Sequence, residues 1–184
     1  MKKNLLISLK LTALMIILCA IIYPLMIAAV GTATPGGGNG ETVSVDGKVV
    51  GYKNIGQRFT DDKYFSGRPS AVDYNAGGSG GSNKGPSNPD YLKIVQDRID
   101  TFLVHNPGIR KEDIPADLVT ASGSGLDPDI SPASAYVQVK RVAAVRGLPE
   151  TAVKELVDHH ISKTILGPDV VNVLKLNIAL DKLK

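Results

Sequence analysis

Hydrophobic positions follow two patterns along this chain. Residues 11–30, LTALMIILCAIIYPLMIAAV, are apolar with no charge among them. Beyond residue 40, apolar positions recur singly between polar ones, at the two-residue or three-to-four-residue spacings of strands and helices. The first run predicts a transmembrane helix from Leu11 to Val30, because twenty helical residues cover the roughly 30 Å of a bilayer's hydrocarbon core. Pro24 lacks an amide proton, so it predicts a kink inside the span. A cleaved signal peptide has a shorter apolar region ending in a small-residue site. Ala29-Val30-Gly31 matches such a site poorly, and Leu18 before Cys19 argues against a lipidated cysteine.

The second pattern predicts one mixed α/β domain. Val43 and Val45 alternate with polar neighbours ahead of Asp46-Gly47, a two-residue hairpin turn, with a return strand through Val49, Gly51 and Lys53. Asn88-Pro89 opens a helix whose inward face is Leu92, Val95, Ile99 and Phe102, ending before Pro107. Residues 113–119 suggest a short strand. Ser131-Pro132 starts a second helix with Ala135, Val139, Val142 and Ala143 inward, closed by Gly147. Pro149 opens a third, with Val153, Leu156, Val157 and Ile161 inward, and Gly167-Pro168 breaks the chain again. In the last segment Leu174, Leu176, Ile178 and Leu180 alternate as in a strand, but length and Leu/Ala/Lys content favour a helix.

Charge orients these pieces. Lys2, Lys3 and Lys10 precede the apolar run, and they account for the whole net charge of +3. Basic residues stay on the cytoplasmic side, so everything after the span is expected outside the membrane. The remainder is electrically balanced, which argues against nucleic acid as a partner. One cysteine allows no internal disulfide, so the outer domain depends on its own core. The expected layout is a basic cytoplasmic N-terminus at 1–10, a transmembrane helix at 11–30, a flexible tether at 31–40 (GTATPGGGNG) and an extracytoplasmic α/β domain at 41–184.

Residues 60–90 combine aromatic residues and arginine with a glycine-serine tract. Tyr64, Phe65, Arg68 and Tyr74 are residue types enriched where a surface meets a partner. The segment 120–135, TASGSGLDPDISPASA, raises two chemistries. Ser122 or Ser124 with His159 or His160 and Asp127 would make a membrane-anchored extracytoplasmic serine hydrolase, yet no G-x-S-x-G elbow supports it. Asp127 and Asp129 offer oxygen ligands without the spacing of a calcium loop. A turn plus a helix cap accounts for both. Ser79, Gly80, Gly81 and Ser82 hint at a phosphate cradle but lack the full P-loop pattern. The segment 131–161 has a helix-turn-helix outline, but Glu150, Glu155 and Asp158 on its second helix disfavour DNA.

Five stretches carry a resemblance that covers essentially the whole chain: YFSGRPSAVDYN (64–75), SGGSNKGPSNP (79–89), LVTASGSGLDPDISPASA (118–135), RVAAVRGL (141–148) and LGPDVVNVLKLNIALD (166–181). They resemble the KdpC subunit family of bacterial potassium-transporting P-type ATPases. That family usually has histidine where this chain has Asp129, and often tryptophan where it has Ser66. The resemblance implies a non-catalytic accessory subunit in the cell inner membrane, assembling or stabilising a channel-like potassium-binding subunit and a P-type ATPase subunit. ATP and potassium would be handled by the complex, with no cofactor bound directly by this chain. The family is also described as a chaperone raising the ATP affinity of the ATPase subunit, with a proposed nucleotide contact that falls on Ser79, Gly80, Gly81 and Ser82. The lysine-derived topology puts that loop across the membrane from cytoplasmic ATP, so any such effect would be a coupling between distant sites. The docking face for the channel-like subunit is expected at Tyr64, Phe65, Arg68, Tyr74 and Asp127.

Overall fold

Leu, Ile and Lys are good helix formers, and nothing in the first thirty residues except Pro24 interrupts them. The computed structural model, which describes residues 2–183, accordingly carries one continuous helical segment from Lys2 to Thr32. Met1 and Lys184, counted above in the N-terminus and the outer domain, lie outside the described residues. The segment comprises α1 (Lys2–Ile16), a π-helical turn (Ile17–Ile22) and α2 (Tyr23–Thr32). It therefore overruns the expected ends, Leu11 and Val30, on both sides. Ser8 does not stop it, because its hydroxyl bonds back to the Leu5 carbonyl three residues earlier. At Pro24 the structure answers the missing amide with the π turn, and the amide of Tyr23 reaches Leu18 O. No residue of the segment is buried. The expected tether is wound into successive turns, with Gly37 N–H on Thr34 O at 2.9 Å and Asn39 N–H on Gly36 O at 3.0 Å.

The chain divides into two units, 1–42 and 43–184. The α/β domain opens with the predicted hairpin, β1 (Thr42–Val45) and β2 (Lys48–Tyr52). Asp46 and Gly47 both have positive φ, 50° and 78°, the signature of a type I′ turn. A long irregular stretch leads to α3 (Pro89–His105), where the Asn88 side chain accepts the Tyr91 amide at 3.0 Å. The predicted inward face of α3 forms in part: Val95, Ile99 and Phe102 are half-buried, but no residue of the helix is fully buried and Leu92 is 52% exposed. Residues 113–119 do not form a strand. Local bonds win there, giving two 3-10 turns, Lys111–Asp113 and Ala116–Leu118, with Arg110 Nε paired to Asp113 at 2.8 Å.

The second predicted helix is split into α4 (Pro132–Tyr136) and α5 (Val139–Arg146). The Gln138 amide bonds Ala135 O, a tightened turn that aims the Gln138 side chain across the domain. Gly147 closes α5 at φ 65°, as expected. α6 (Glu150–His160) follows, then β4 (Ile161–Ser162), β5 (Val170–Asn172) and α7 (Val173–Lys182). The ambiguous last segment is thus a short strand and then a helix, separated where the Asn172 side chain caps Lys175 N–H at 3.1 Å. β5 is the centre of an antiparallel sheet of order β3-β5-β4, with β3 (Asp129–Ile130) pairing Ile130 to Val171 and β4 pairing Ile161 to Val171. Helices α4 to α7 close over this sheet. Their core holds Phe65, Ile130, Val142, Val153, Val157, Val171, Leu176 and Leu180, all at most 1% exposed. Each such side chain contributes about 1.5–3 kcal/mol of burial.

Candidate functional site

The glycine-serine stretches singled out in the sequence converge in one place. Residues 55–57, 66–75, 79–81 and 122–128 cross-link as loops. Gly56 N–H donates to Leu126 O at 2.7 Å, Ser122 N–H to Pro69 O at 3.1 Å, and Gly80 N–H to Ser124 O at 2.8 Å. The Ser79 hydroxyl donates to the same Ser124 carbonyl at 3.0 Å. Side-chain bulk is excluded by this closeness. A Cβ on Gly125, which has φ 68°, would lie 2.5 Å from Val72 Cγ2 and 2.8 Å from Gly80 O. Ser70 Oγ accepts the amides of Val72 and Tyr74, at 3.2 and 2.9 Å, and so holds Asp73 and Tyr74 at positive φ. Arg68 Nη1 meets Asp127 Oδ2 at 3.1 Å across the cluster, and the Tyr74 hydroxyl donates to Arg68 O. Burial pushes the Tyr74 phenol above its ordinary value.

The residues expected to dock a partner separate into three settings. Arg68, Tyr74 and Asp127 belong to the cluster. Arg68 Nε is the one buried side-chain polar atom without a partner among the described residues. Tyr64 belongs to a second surface, where its hydroxyl donates to Asp181 at 3.1 Å and the Arg146 guanidinium lies 4.9 Å from its ring centroid. Phe65 is a correction. It is 0% exposed, and both its amide and its carbonyl are bonded to Asn177, so it is core and presents nothing to a partner. Of the four serine-glycine residues, Ser79 and Gly80 spend their donors on Ser124, and Gly81 packs against Gly123, whose carbonyl would be 3.0 Å from a Cβ at that position. Ser82 is half-buried.

Neither enzyme-like constellation is assembled. Ser122 is buried at 3% exposure, while Nδ1 of His159 and of His160 bonds the carbonyl four residues back in the same helix. Asp127 is taken by Arg68 and by the amide of Asp129. Among the described residues no hydrogen bond joins these serines, histidines and Asp127. No group of three His, Cys, Asp or Glu side chains is placed to hold a metal ion among them.

The family model described as "K+-transporting ATPase, c chain" matches residues 5–182. The chain belongs to the KdpC family. It is 62% identical over 183 residues to the potassium-transporting ATPase KdpC subunit of Flavobacterium psychrophilum, and 60% over 182 residues to that of Flavobacterium johnsoniae. Both alignments cover 99% of this chain and 100% of the relative. The Bacteroides fragilis protein of the same name is 52% identical over 188 residues, covering 99% of this chain and 98% of the relative.

Three polar anchors of this KdpC-family domain escaped the sequence reading. Asp117 accepts from Ser131 N–H at 2.8 Å and from the hydroxyls of Ser134 and Ser131 at 2.6 and 3.2 Å, which locks the start of α4. Partial burial pushes its carboxyl up, but these donors outweigh burial and hold it below the ordinary value. Gln138, fully buried, accepts from Ser66 N–H at 2.8 Å and donates to the carbonyls of Ser66 and Ser134. Arg141, 8% exposed, donates to Asn106 Oδ1, Gln138 Oε1 and the carbonyls of Asp62 and Tyr64, and burial pushes its pKa down. Gln138 lies three residues after Ala135 and four before Val142, so its place on the apolar face was readable from spacing. Arg141 also forms part of the floor of a cleft of about 510 Å³ beneath α3, walled by Phe59, Ile94, Phe102 and Leu118.

Proposed function

We propose that this chain is a non-catalytic accessory subunit of an ATP-driven potassium uptake complex. It holds a channel-like potassium-binding subunit and a P-type ATPase subunit together through one membrane helix and one extracytoplasmic domain. The observation that carries this reading is the bare helix. Within its 31 residues lies an 18-residue stretch of mean hydropathy 2.7, and no residue of the helix is buried, so lipid and the helices of partner subunits are needed to cover it. Lys2, Lys3 and Lys10 orient its N-terminus to the cytoplasm. The loop cluster around Arg68 and Asp127 and the Tyr64–Arg146 surface supply the docking faces of the outer domain. Ser79 and Gly80 have their donors engaged on Ser124, which supports a structural role for that loop. Any influence on ATP affinity then travels through the membrane as a coupling free energy.

The test is a pull-down from native membranes with partners identified by mass. Wild type brings down both larger subunits. Arg68→Ala and Tyr64→Ala weaken recovery of the channel-like subunit while the outer domain keeps its far-UV circular dichroism. Undiminished recovery with both variants overturns the docking assignment, and absence of both subunits from the wild-type pull-down overturns the accessory role.

A further inference from the structure

Between β4 and β5 the chain turns through KTILGPD, residues 163–169. Ile165 is 101% exposed and Leu166 94%, more than any other large apolar side chain among the described residues. The turn is held from within. Thr164 Oγ1 donates to Gly167 O at 2.7 Å and reaches Pro168 O at 3.0 Å, and Gly167 takes φ 132°. The strands on either side are fixed in the sheet through Val171 and Ile161. This is therefore a shaped tip that presents two adjacent aliphatic side chains to solvent, with Lys163 beside them.

We propose that this tip inserts into the interfacial region of the same bilayer that holds helix Lys2–Thr32. The inference rests on that helix being membrane-embedded. Burying two aliphatic side chains is worth about 3–6 kcal/mol before ordering costs, too little to recruit a free protein stably. Here recruitment has already happened. Only nine residues, 33–41, separate the helix from β1, and such a link spans at most about 30 Å. The domain is thus confined near the bilayer, and a weak second contact is raised to a high effective concentration. A fluid interface needs no shape complement for an Ile-Leu pair, and Lys163 suits lipid phosphates.

The chain has no tryptophan, so Leu166→Trp introduces a single reporter at a position without neighbours to disturb. The full-length variant is reconstituted into vesicles of phosphatidylethanolamine and phosphatidylglycerol, with and without lipids brominated on the acyl chain. A Val49→Trp variant, on an exposed strand position, serves as the control. The expected result is blue-shifted emission at 166, quenched at least twofold more by brominated lipid than at 49. Water-like, equally quenched emission at 166 overturns the proposal, as does a blue shift appearing only when the other complex subunits are added. Vesicle flotation is scored separately: protein that fails to float refutes the membrane helix, whereas protein that floats with an unquenched tip refutes only the insertion.

Discussion

Asn177 grips Phe65 twice: its Oδ1 accepts the Phe65 amide and its Nδ2 donates to the Phe65 carbonyl, each at 2.9 Å. One side chain on α7 thereby does for an irregular loop what a neighbouring strand does for a strand. Both backbone groups are buried, and losing their partner leaves each unsatisfied. Asn177→Leu is expected to destabilise the α/β domain by about 2–4 kcal/mol, read as a lowered urea midpoint of the full chain in detergent. Phe65→Ala, which empties a core site, should cost about 3–5 kcal/mol.

Two glycines with left-handed backbone should respond differently to alanine. Gly147 has open space around its missing Cβ, so Gly147→Ala costs only the conformational strain, about 1–2 kcal/mol. Gly125→Ala carries the same strain and also a clash with Val72 and the Gly80 carbonyl. It should cost at least about 2 kcal/mol more and should open the loop cluster to limited proteolysis. Equal thermal shifts for the two variants would contradict the cluster as described.

Asp117 gives the α/β domain an acid sensitivity. Its pKa is depressed in the folded state, so its contribution is present above the ordinary carboxylate range and is lost as pH falls through the lowered folded value. Asp117→Ala is expected to cost about 1–2 kcal/mol at neutral pH, since the group is partly exposed. The difference from wild type should shrink on acidification, as denaturation series at several pH values will show.

Asp129 has the opposite sign. Burial and the nearby Asp127 charge raise its pKa, against the lowering effects of the Asn172 hydrogen bond and Lys175. The penalty for its charge is present above the raised folded value and vanishes as pH falls below the ordinary range. Asp129→Asn can still accept from Asn172, so it should stabilise by a few tenths of a kcal/mol at neutral pH. That gain should disappear at low pH.

The proposed sidedness predicts that protease added outside intact spheroplasts removes the chain beyond residue 32, leaving a small membrane-retained N-terminal fragment. A carboxyl-terminal portion protected outside but cut after lysis would reverse the orientation.

Elements set by local chemistry were legible in the sequence. The Asp46-Gly47 turn, the Asn88 and Ser131 caps and the Gly147 stop appear where their residue types placed them. Strands β3, β4 and β5 were not legible, because two or three residues cannot show an alternation and β3 finds its partner only some forty residues away. Aromatic and arginine content alone suggested an exposed role for Phe65. The deciding fact, a pair of hydrogen bonds to Asn177 more than a hundred residues on, has no local signature. The Arg68–Asp127 pair likewise joins two motifs that were each visible, while the contact between them was not.

The π turn at Ile17–Ile22 inserts one extra residue into the membrane helix, and each residue advances a helix by about 100° in azimuth. Any ridge of small side chains ahead of the turn is therefore rotated away from its continuation beyond Pro24. The stretches of helix before and after the turn therefore present differently directed faces to their surroundings.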